Sequence, residues 1–529
     1  MKIKILFFFY LFIIAQSILF AQNNYNLSNL SFTDGEPYIS VNPVNQNNII
    51  VAWMRLRLDG KIWIATTTSF DKGQTWSVIN FMPHDSSINN SADVSIAFHN
   101  SGIAYLIYVD YRTSPDSAGG IFISKSFDGG LTWSTSNKVF DKNELQDIPI
   151  DRPWIAVDNS GSVNDGNVFV TSMSAYFYEG QHHIYFKSSA DSGATWSVLK
   201  QVDDTLTSVG PFKVSYAPIS VGNDGKVYIA YMSYVSLFVK KFYIATTTDI
   251  GNTFQKYDFG DVYPVFAKLP AYTISTDPIN NGHVIMSWCD TRFGDPDVLL
   301  SKSTDGGQTW GNPIRVNDDS LNNDIVQDQV WANYSSSGIF AIAWRDRRLN
   351  GAGSNVPFDI YTAFLTNDTL NTFSPNYRVS TVSSPYVAIS CCNSFIGIAV
   401  SDSSIYIDWG DYRNGSNWDV YFNKADFLNL ITSINDVSSN VSSSIKIFPN
   451  PTNNSIKVSF SLPSLKGNSE IVIYNSIGQI VIATLLSADE SGFYFKQIDI
   501  SNLPDGIYYL FVKNDNLYIR NKMFVKSGK

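Results

Sequence analysis

Ser69-Phe70-Asp71-Lys72-Gly73-Gln74-Thr75-Trp76 decides the fold of this chain, because the octet recurs. The pattern S/T-x-D-x-G-x-T-W/F returns at Ser126–Trp133, Ser189–Trp196, Thr247–Phe254 and Ser303–Trp310. Its aspartates, Asp71, Asp128, Asp191, Asp249 and Asp305, follow one another at 57, 63, 58 and 56 residues. Self-similarity at such a period marks a repeat architecture, in which each unit buries its faces against its neighbours. Within an octet the residue types suit a tight hairpin turn. The carboxylate and hydroxyl can satisfy backbone groups inside the turn. Gly73, Gly130, Gly193, Gly251 and Gly307 can take positive φ, and Trp76, Trp133, Trp196, Phe254 and Trp310 cover the hairpin base. A calcium loop needs several alternating oxygen ligands, whereas each octet brings one dependable carboxylate. The octets therefore read as structural, and no metal or other cofactor is expected.

A second element extends the pattern beyond the octets. The segments Ile49–Trp53, Ala104–Tyr108, Val168–Ser172, Val227–Tyr231, Val284–Trp288, Phe340–Trp344 and Ile405–Trp409 end 55, 64, 59, 57, 56 and 65 residues apart. The last two lie past the final octet, which brings the units to seven. Short strands divided by Gly and Asn turns at this period predict an all-β chain, a β-propeller over residues 22–431. Seven blades are expected, with six as the alternative.

The flanks read differently. Lys2, Lys4, the apolar run Ile5–Ile14 and Ala21 before Gln22 have the layout of an export signal over residues 1–21; a membrane anchor is the rival reading. Residues 432–444 are a polar linker without periodicity. Residues 445–529 alternate strands and turns as a small β-sandwich does. A net charge of −10 and the lack of a basic stripe exclude nucleic acid and anionic membrane as partners. Cys289, Cys391 and Cys392 are too few for a disulfide framework; one bridge from Cys289 to either neighbour of that pair stays open.

The octets resemble the Asp boxes, or bacterial neuraminidase repeats, of the sialidase superfamily, over residues 36 to about 430. Sialidases have six blades, one fewer than the units counted here. The resemblance implies a propeller that acts on or binds extracellular glycans, as a sialidase-like glycoside hydrolase or a polysaccharide lyase. The alternative is a non-catalytic adhesion or glycan-binding propeller, and a monomer is expected in either case. In the last domain, Phe448-Pro449-Asn450-Pro451, Tyr474-Asn475-x-x-Gly478-Gln479 and Leu503-Pro504-x-Gly506-x-Tyr508-x-Leu510 resemble the type A sorting domain of type IX secretion cargo. That implies the type IX machinery as a partner, and secretion or surface attachment in a Gram-negative bacterium of the Bacteroidota kind. An ordinary carbohydrate-binding sandwich is the plainer reading of the same strands.

The octet turns join strands three and four on one face, so the loops between strands two and three open on the other. By resemblance, that other face is the functional one. Four units end strand two with aromatic-x-Asp-x-Arg: Tyr108/Asp110/Arg112, Trp288/Asp290/Arg292, Trp344/Asp346/Arg348 and Trp409/Asp411/Arg413. Spacing of two puts each trio on one side of its strand, where it could face a carboxylated ligand. The scaffold reading is preferred, with Arg292, Arg348 and Arg413 pairing across the hairpin to Asp297, Asp359 and Asp419, whereas Gly120 stands opposite Arg112. A repeated residue belongs to the scaffold, whereas a catalytic one should be unique to its blade. Unique groups sit where inner strands begin, at Glu36, Asp93, Asp147, Asp151, Arg152, Asp324 and Asp328, and in the loop carrying Tyr178 and Glu179. Two carboxyls across the mouth could serve as acid and nucleophile or base. The adjacent His182 and His183 point to opposite sides of a strand and make poor joint metal ligands. Sialidases open with an Arg-Ile-Pro segment. Here the opening strand reads Glu36-Pro37-Tyr38-Ile39-Ser40, and no family catalytic residue carries over.

Overall fold

The computed structural model describes residues 24–28, 32–112, 119–141, 144, 150–175, 182–203, 216–234, 240–263, 271–365, 373–387, 395–427, 430, 445–461, 469–475, 479–486, 493–514 and 517–527. The expected export signal, the linker, Asp147, Tyr178, Glu179, Cys391 and Cys392 lie outside them. Cys289 is a buried free thiol.

Seven four-stranded antiparallel sheets precede the C-terminal region, and six of them use four consecutive strands. Blade 1 comprises Thr33–Val41, Ile49–Leu56, Ile62–Ser69 and Asn80–Phe81. Blades 2 to 7 open on the inner strands Asn90–Phe98, Ile150–Val157, Ile219–Val221, Tyr272–Thr276, Gln327–Tyr334 and Ile396–Val400. Inner strands touch their neighbours in a closed circuit, blade 7 returning to blade 1. Blade 7 supplies three strands itself and borrows its fourth, Tyr25–Asn26, from the other end of the ring, with Tyr25 opposite Phe422. An open edge is thereby covered and the circle locked. The second strands are largely buried, Val284–Asp290 and Phe340–Asp346 along their whole length. Neighbouring blades cover both of their faces, so they read as continuous apolar runs rather than alternating ones.

In every octet the first hydroxyl and the carboxylate organise the turn. Ser69 Oγ donates to Asp71 Oδ1 (2.8 Å) and accepts the Gly73 N–H (2.8 Å), while Asp71 takes the Thr75 N–H (2.8 Å) and hydroxyl (2.6 Å). Asp128, Asp191, Asp249 and Asp305 repeat the arrangement. The Thr253 N–H first, then the hydroxyls of Thr247 and Thr253, hold the Asp249 carboxyl down to about 2. The octets also reach across blades. A Cβ on Gly251 would lie 2.1 Å from the Phe186 ring of blade 3, and one on Gly73 2.4 Å from Phe422 of blade 7. Phe254 and Trp76 pack edge-on against those same rings, at 5.2 and 5.0 Å. Each such octet is a staple between blades as well as a turn within one.

After Ile445, one sheet of Lys446–Phe448, Ser455–Ser461 and Phe493–Asp499 faces another of Ile480–Leu486, Ser469–Tyr474, Gly506–Asn514 and Leu517–Lys526. Ile456, Val458, Ile471, Ile473, Leu510 and Phe524 fill the space between them. No helix among the described residues is long and apolar enough to cross a membrane.

Candidate functional site

Four inner strands share an irregularity. Their pairing with strand two breaks between Gly35 and Tyr38, Ala92 and Ser95, Asp151 and Trp154, and Asp328 and Trp331. Each break holds a non-glycine residue in the left-handed region: Glu36 (φ 50°), Asp93 (46°), Arg152 (50°) and Gln329 (53°). A left-handed side-chain residue costs about 1–3 kcal/mol. Bulges of this kind re-aim side chains, and three of these four residues, Glu36, Asp93 and Arg152, converge on one cavity. Pro37 and Pro153, next in line, lack the N–H that a regular ladder would use.

Glu36, Asp93 and Arg152, from blades 1, 2 and 3, line one small cavity of ≈ 10 Å³ with Tyr38, Trp154 and Phe395. Glu36, Asp93, Asp151 and Arg152 are half-buried. The Arg152 N–H donates to Asp151 Oδ1 at 3.0 Å. Burial opposes the Asp93 anion, but the Arg152 guanidinium and hydrogen bonds from Asp151 and Glu36 outweigh it and hold that carboxyl below its usual range. Burial, then the Asp93 charge, pushes Asp151 well above its own. Two adjacent carboxyls are thus driven apart, so that one carries the proton and the other the charge. Burial and the charges of Asp93, Asp151 and Glu36 push the Tyr111 phenol up to about 12, so it stays protonated beside them.

An aromatic plug lies beneath. Trp154 stacks on Trp331 of blade 6 at 4.8 Å and meets Tyr38, Tyr216 and Phe395 at 5.7, 6.0 and 5.7 Å. The Arg152 guanidinium rests on the Phe395 ring at 4.7 Å. On the octet side of the plug the axis widens into a cavity of ≈ 440 Å³, whose lining includes Ser40, Asn100, Asn159, Thr276 and Asn333. Amides there tie blades together, as Asn159 does to the Phe98 carbonyl (2.9 Å).

Three of the four aromatic-x-Asp-x-Arg trios close on themselves. Asp290 accepts from Trp288 Nε1 (3.1 Å) and Arg292 (2.6 Å), Asp346 from Trp344 (2.9 Å) and Arg348 (2.8 Å), and Asp411 from Trp409 (2.8 Å) and Arg413 (2.6 Å). The expected cross-hairpin pairing is corrected, because residues outside strand two hold the strand-three aspartates. Arg315 binds Asp297 (2.6 Å), Arg378 binds Asp359 (2.7 Å) and Ser28 binds Asp419 (3.2 Å). In blade 1 the carboxylate has moved to the inner strand, where Asp34 takes both Trp53 and Arg55 at 2.6 Å. Asp110 instead collects His84 (2.8 Å), Asn89 (2.8 Å) and Ser91 (3.0 Å), and Arg112 stands half-buried at the strand end. Asp328, although at the mouth position of blade 6, is gripped by Arg345 (2.6 Å) and Arg347 (3.1 Å). Burial opposes that anion, and the two guanidiniums still draw it down to about 2. The Asp324 N–H donates to Asp295 (2.9 Å), and His183 meets Asp203 (3.0 Å). No cluster of three metal-ligating side chains occurs among the described residues.

Tyr111, Gln329 and the Trp154–Trp331 plug were not singled out from sequence. A signal existed in the parallel runs Gly35-Glu36-Pro37-Tyr38, Asp151-Arg152-Pro153-Trp154 and Asp328-Gln329-Val330-Trp331. Aligned on their aromatic residues, these runs place the bulges.

Residues 113–343 match the BNR repeat-like domain, and residues 446–526 match the secretion system C-terminal sorting domain. A sialidase of Paraclostridium sordellii is 29% identical over 217 residues, covering 37% of this chain and 50% of that protein. The chain thus spans about half the length of that curated relative. A crystal structure of a protein of unknown function from Dyadobacter fermentans overlaps 76% of this chain and 99% of its own, at 10% identity and a TM-score of 0.45. A Hadza microbial sialidase overlaps 72% and 76%, at 14% identity and a TM-score of 0.43. The sorting domain makes this a cargo of type IX secretion, released from or held at the surface of a Bacteroidota-type bacterium. The chain is a sialidase-like Asp-box β-propeller carrying a C-terminal type IX secretion sorting domain.

Proposed function

We propose that the propeller acts on extracellular glycans at its axial mouth, hydrolysing a glycosidic bond with Asp151 as the proton donor. One observation supports this most. Glu36, Asp93 and Arg152, each unique to its blade and each strained at a left-handed backbone, line one small cavity, with the Asp151 carboxyl hydrogen-bonded to Asp93 beside it. Such strain collects at functional sites, where the surrounding structure over-determines it. Asp151 keeps its proton because it is buried and Asp93 beside it holds the negative charge, which suits donation to a departing sugar oxygen. Since Asp93 and Asp151 are hydrogen-bonded, they stand closer than the ~5–5.5 Å between the two carboxyls of a retaining site. They work as one acid, and the attacking group comes from elsewhere in the mouth; Tyr178 and Glu179 remain the sequence candidates.

That closeness also favours a second reading, glycan binding without turnover. Screening the secreted protein against chromogenic glycosides and polysaccharides separates the two. Turnover should fall at least 10²-fold in Asp151→Asn, and in the wild type kcat/KM should decline as pH rises through the raised Asp151 pKa. Binding with no turnover on any substrate sinks the enzyme reading. The C-terminal domain would meet the type IX machinery during export, and the propeller would act as a monomer.

A further inference from the structure

We propose that the axial mouth reads the end of a glycan chain through a hydroxyl of a neutral sugar and rejects sugars that present a carboxylate there. This rests on the mouth being a glycan site, as proposed above, and narrows its substrate class.

The mouth is a dead end. Trp154 crosses the axis to stack on Trp331 at 4.8 Å, and Tyr38, Tyr216 and Phe395 pack around Trp154. A polymer cannot thread past these rings and can enter only by an end. At the bottom, the cavity beside Glu36, Asp93, Arg152 and Trp154 measures ≈ 10 Å³. That admits one water-sized group, such as a single hydroxyl, and not a branched planar one.

The hydrogen-bonding demand there is specific. Arg152 Nε and Nη1 and Trp154 Nε1 are buried without a hydrogen-bond partner among the described residues. Three unpaired donors against one cavity call for an acceptor oxygen, because a buried polar group left unpaired is costly. Carboxyls of Glu36 and Asp93 wall the same cavity, and the Asp93 charge already offsets the Arg152 cation. A hydroxyl meets both conditions, accepting from guanidinium or indole while donating to a carboxylate. A ligand carboxylate can only accept, and it would stand beside the Asp93 anion in a site shielded from water, where like charges repel more strongly than in solution. Gln329 stands at the matching position of blade 6, and Arg345 and Arg347 of that blade are bound to Asp328 and bring no compensating charge.

The test is calorimetric titration of the secreted protein at pH 7. Methyl glycosides of L-arabinose, D-galactose and N-acetyl-D-glucosamine are the neutral probes; N-acetylneuraminic acid and D-glucuronic acid are the acidic ones. At least one neutral probe should bind, with both acids at least tenfold weaker. Arg152→Met should weaken the neutral probe roughly tenfold, and Asp93→Asn should narrow the neutral-to-acidic gap by a similar factor. Unfolding midpoints show which variants are folded; if Arg152→Met is not, Trp154→Phe removes one cavity donor and carries the same comparison. An acidic sugar that binds as tightly as the neutral ones, and is lost in Arg152→Met, overturns the inference while leaving the mouth a glycan site. Binding indifferent to both mouth variants, or none by any probe, overturns the glycan reading and this inference together.

Discussion

Replacing Gly251 with alanine tests whether the Asp boxes hold blades together or merely turn a hairpin. Gly251 sits at φ +88°, and an added Cβ would meet three atoms of the Phe186 ring at 2.1, 2.8 and 2.9 Å. Phe186 is fully buried and wedged between Phe169 (6.1 Å) and Phe254 (5.2 Å), so the ring has nowhere to go. The left-handed backbone alone costs a non-glycine residue about 1–2 kcal/mol, and overpacking a filled core adds about 1–3 kcal/mol. Gly415, at φ +72° with open space around its missing Cβ, isolates the backbone part. Gly251→Ala should therefore destabilise by about 1–3 kcal/mol more than Gly415→Ala. Calorimetric unfolding of the two variants reads this as a difference of a few degrees in Tm. In a Phe186→Leu background the excess should shrink, because the smaller side chain can yield, and the double-mutant cycle should show coupling of at least about 0.5 kcal/mol. Equal effects of the two alanines, or a cycle with no coupling, would refute the inter-blade staple.

Two more outcomes follow from buried carboxyls that the site does not use. Burial pushes Asp408 well above its usual range, against the pull of the Gly397 backbone N–H. The folded chain thus keeps a proton that the unfolded chain releases above about pH 4. Stability from this group is present below that pH and is lost as pH climbs towards the folded pKa. Asp408→Asn should gain on the wild type as pH rises from about 4 towards the raised folded pKa, by up to about 1.4 kcal/mol per pH unit; parallel Tm–pH curves would dismiss the account. Asp328→Asn takes the counter-charge from Arg345 and Arg347, both buried. It should lower stability by about 3–5 kcal/mol yet leave glycan affinity unchanged, and a selective loss of affinity in a stable variant would put Asp328 in the site.

Periodicity by itself determined the class of fold. Octets and apolar segments recurring every 55 to 65 residues leave few architectures besides a ring of small sheets, since each unit's buried strand needs a neighbour on both faces. The last two segments, lacking octets, were still legible through Phe340–Trp344 and Ile405–Trp409. Mouth candidates such as Glu36, Asp93, Asp151 and Arg152 were legible only as blade-unique charges at strand entries, alongside Asp324 and Asp328. Tertiary structure decided what each does. Asp328 and Asp151 occupy the same position before a bulge, yet two arginines hold one as an anion, while burial and a neighbouring carboxylate keep the proton on the other. The partners come from different strands or blades, and chain spacing carries no record of that distance. The plug has the same origin: Trp154 and Trp331 are 177 positions apart in the chain and 4.8 Å apart across the axis. A local pattern reports which face a side chain takes, whereas its charge state and its opposite number depend on how the ring closes.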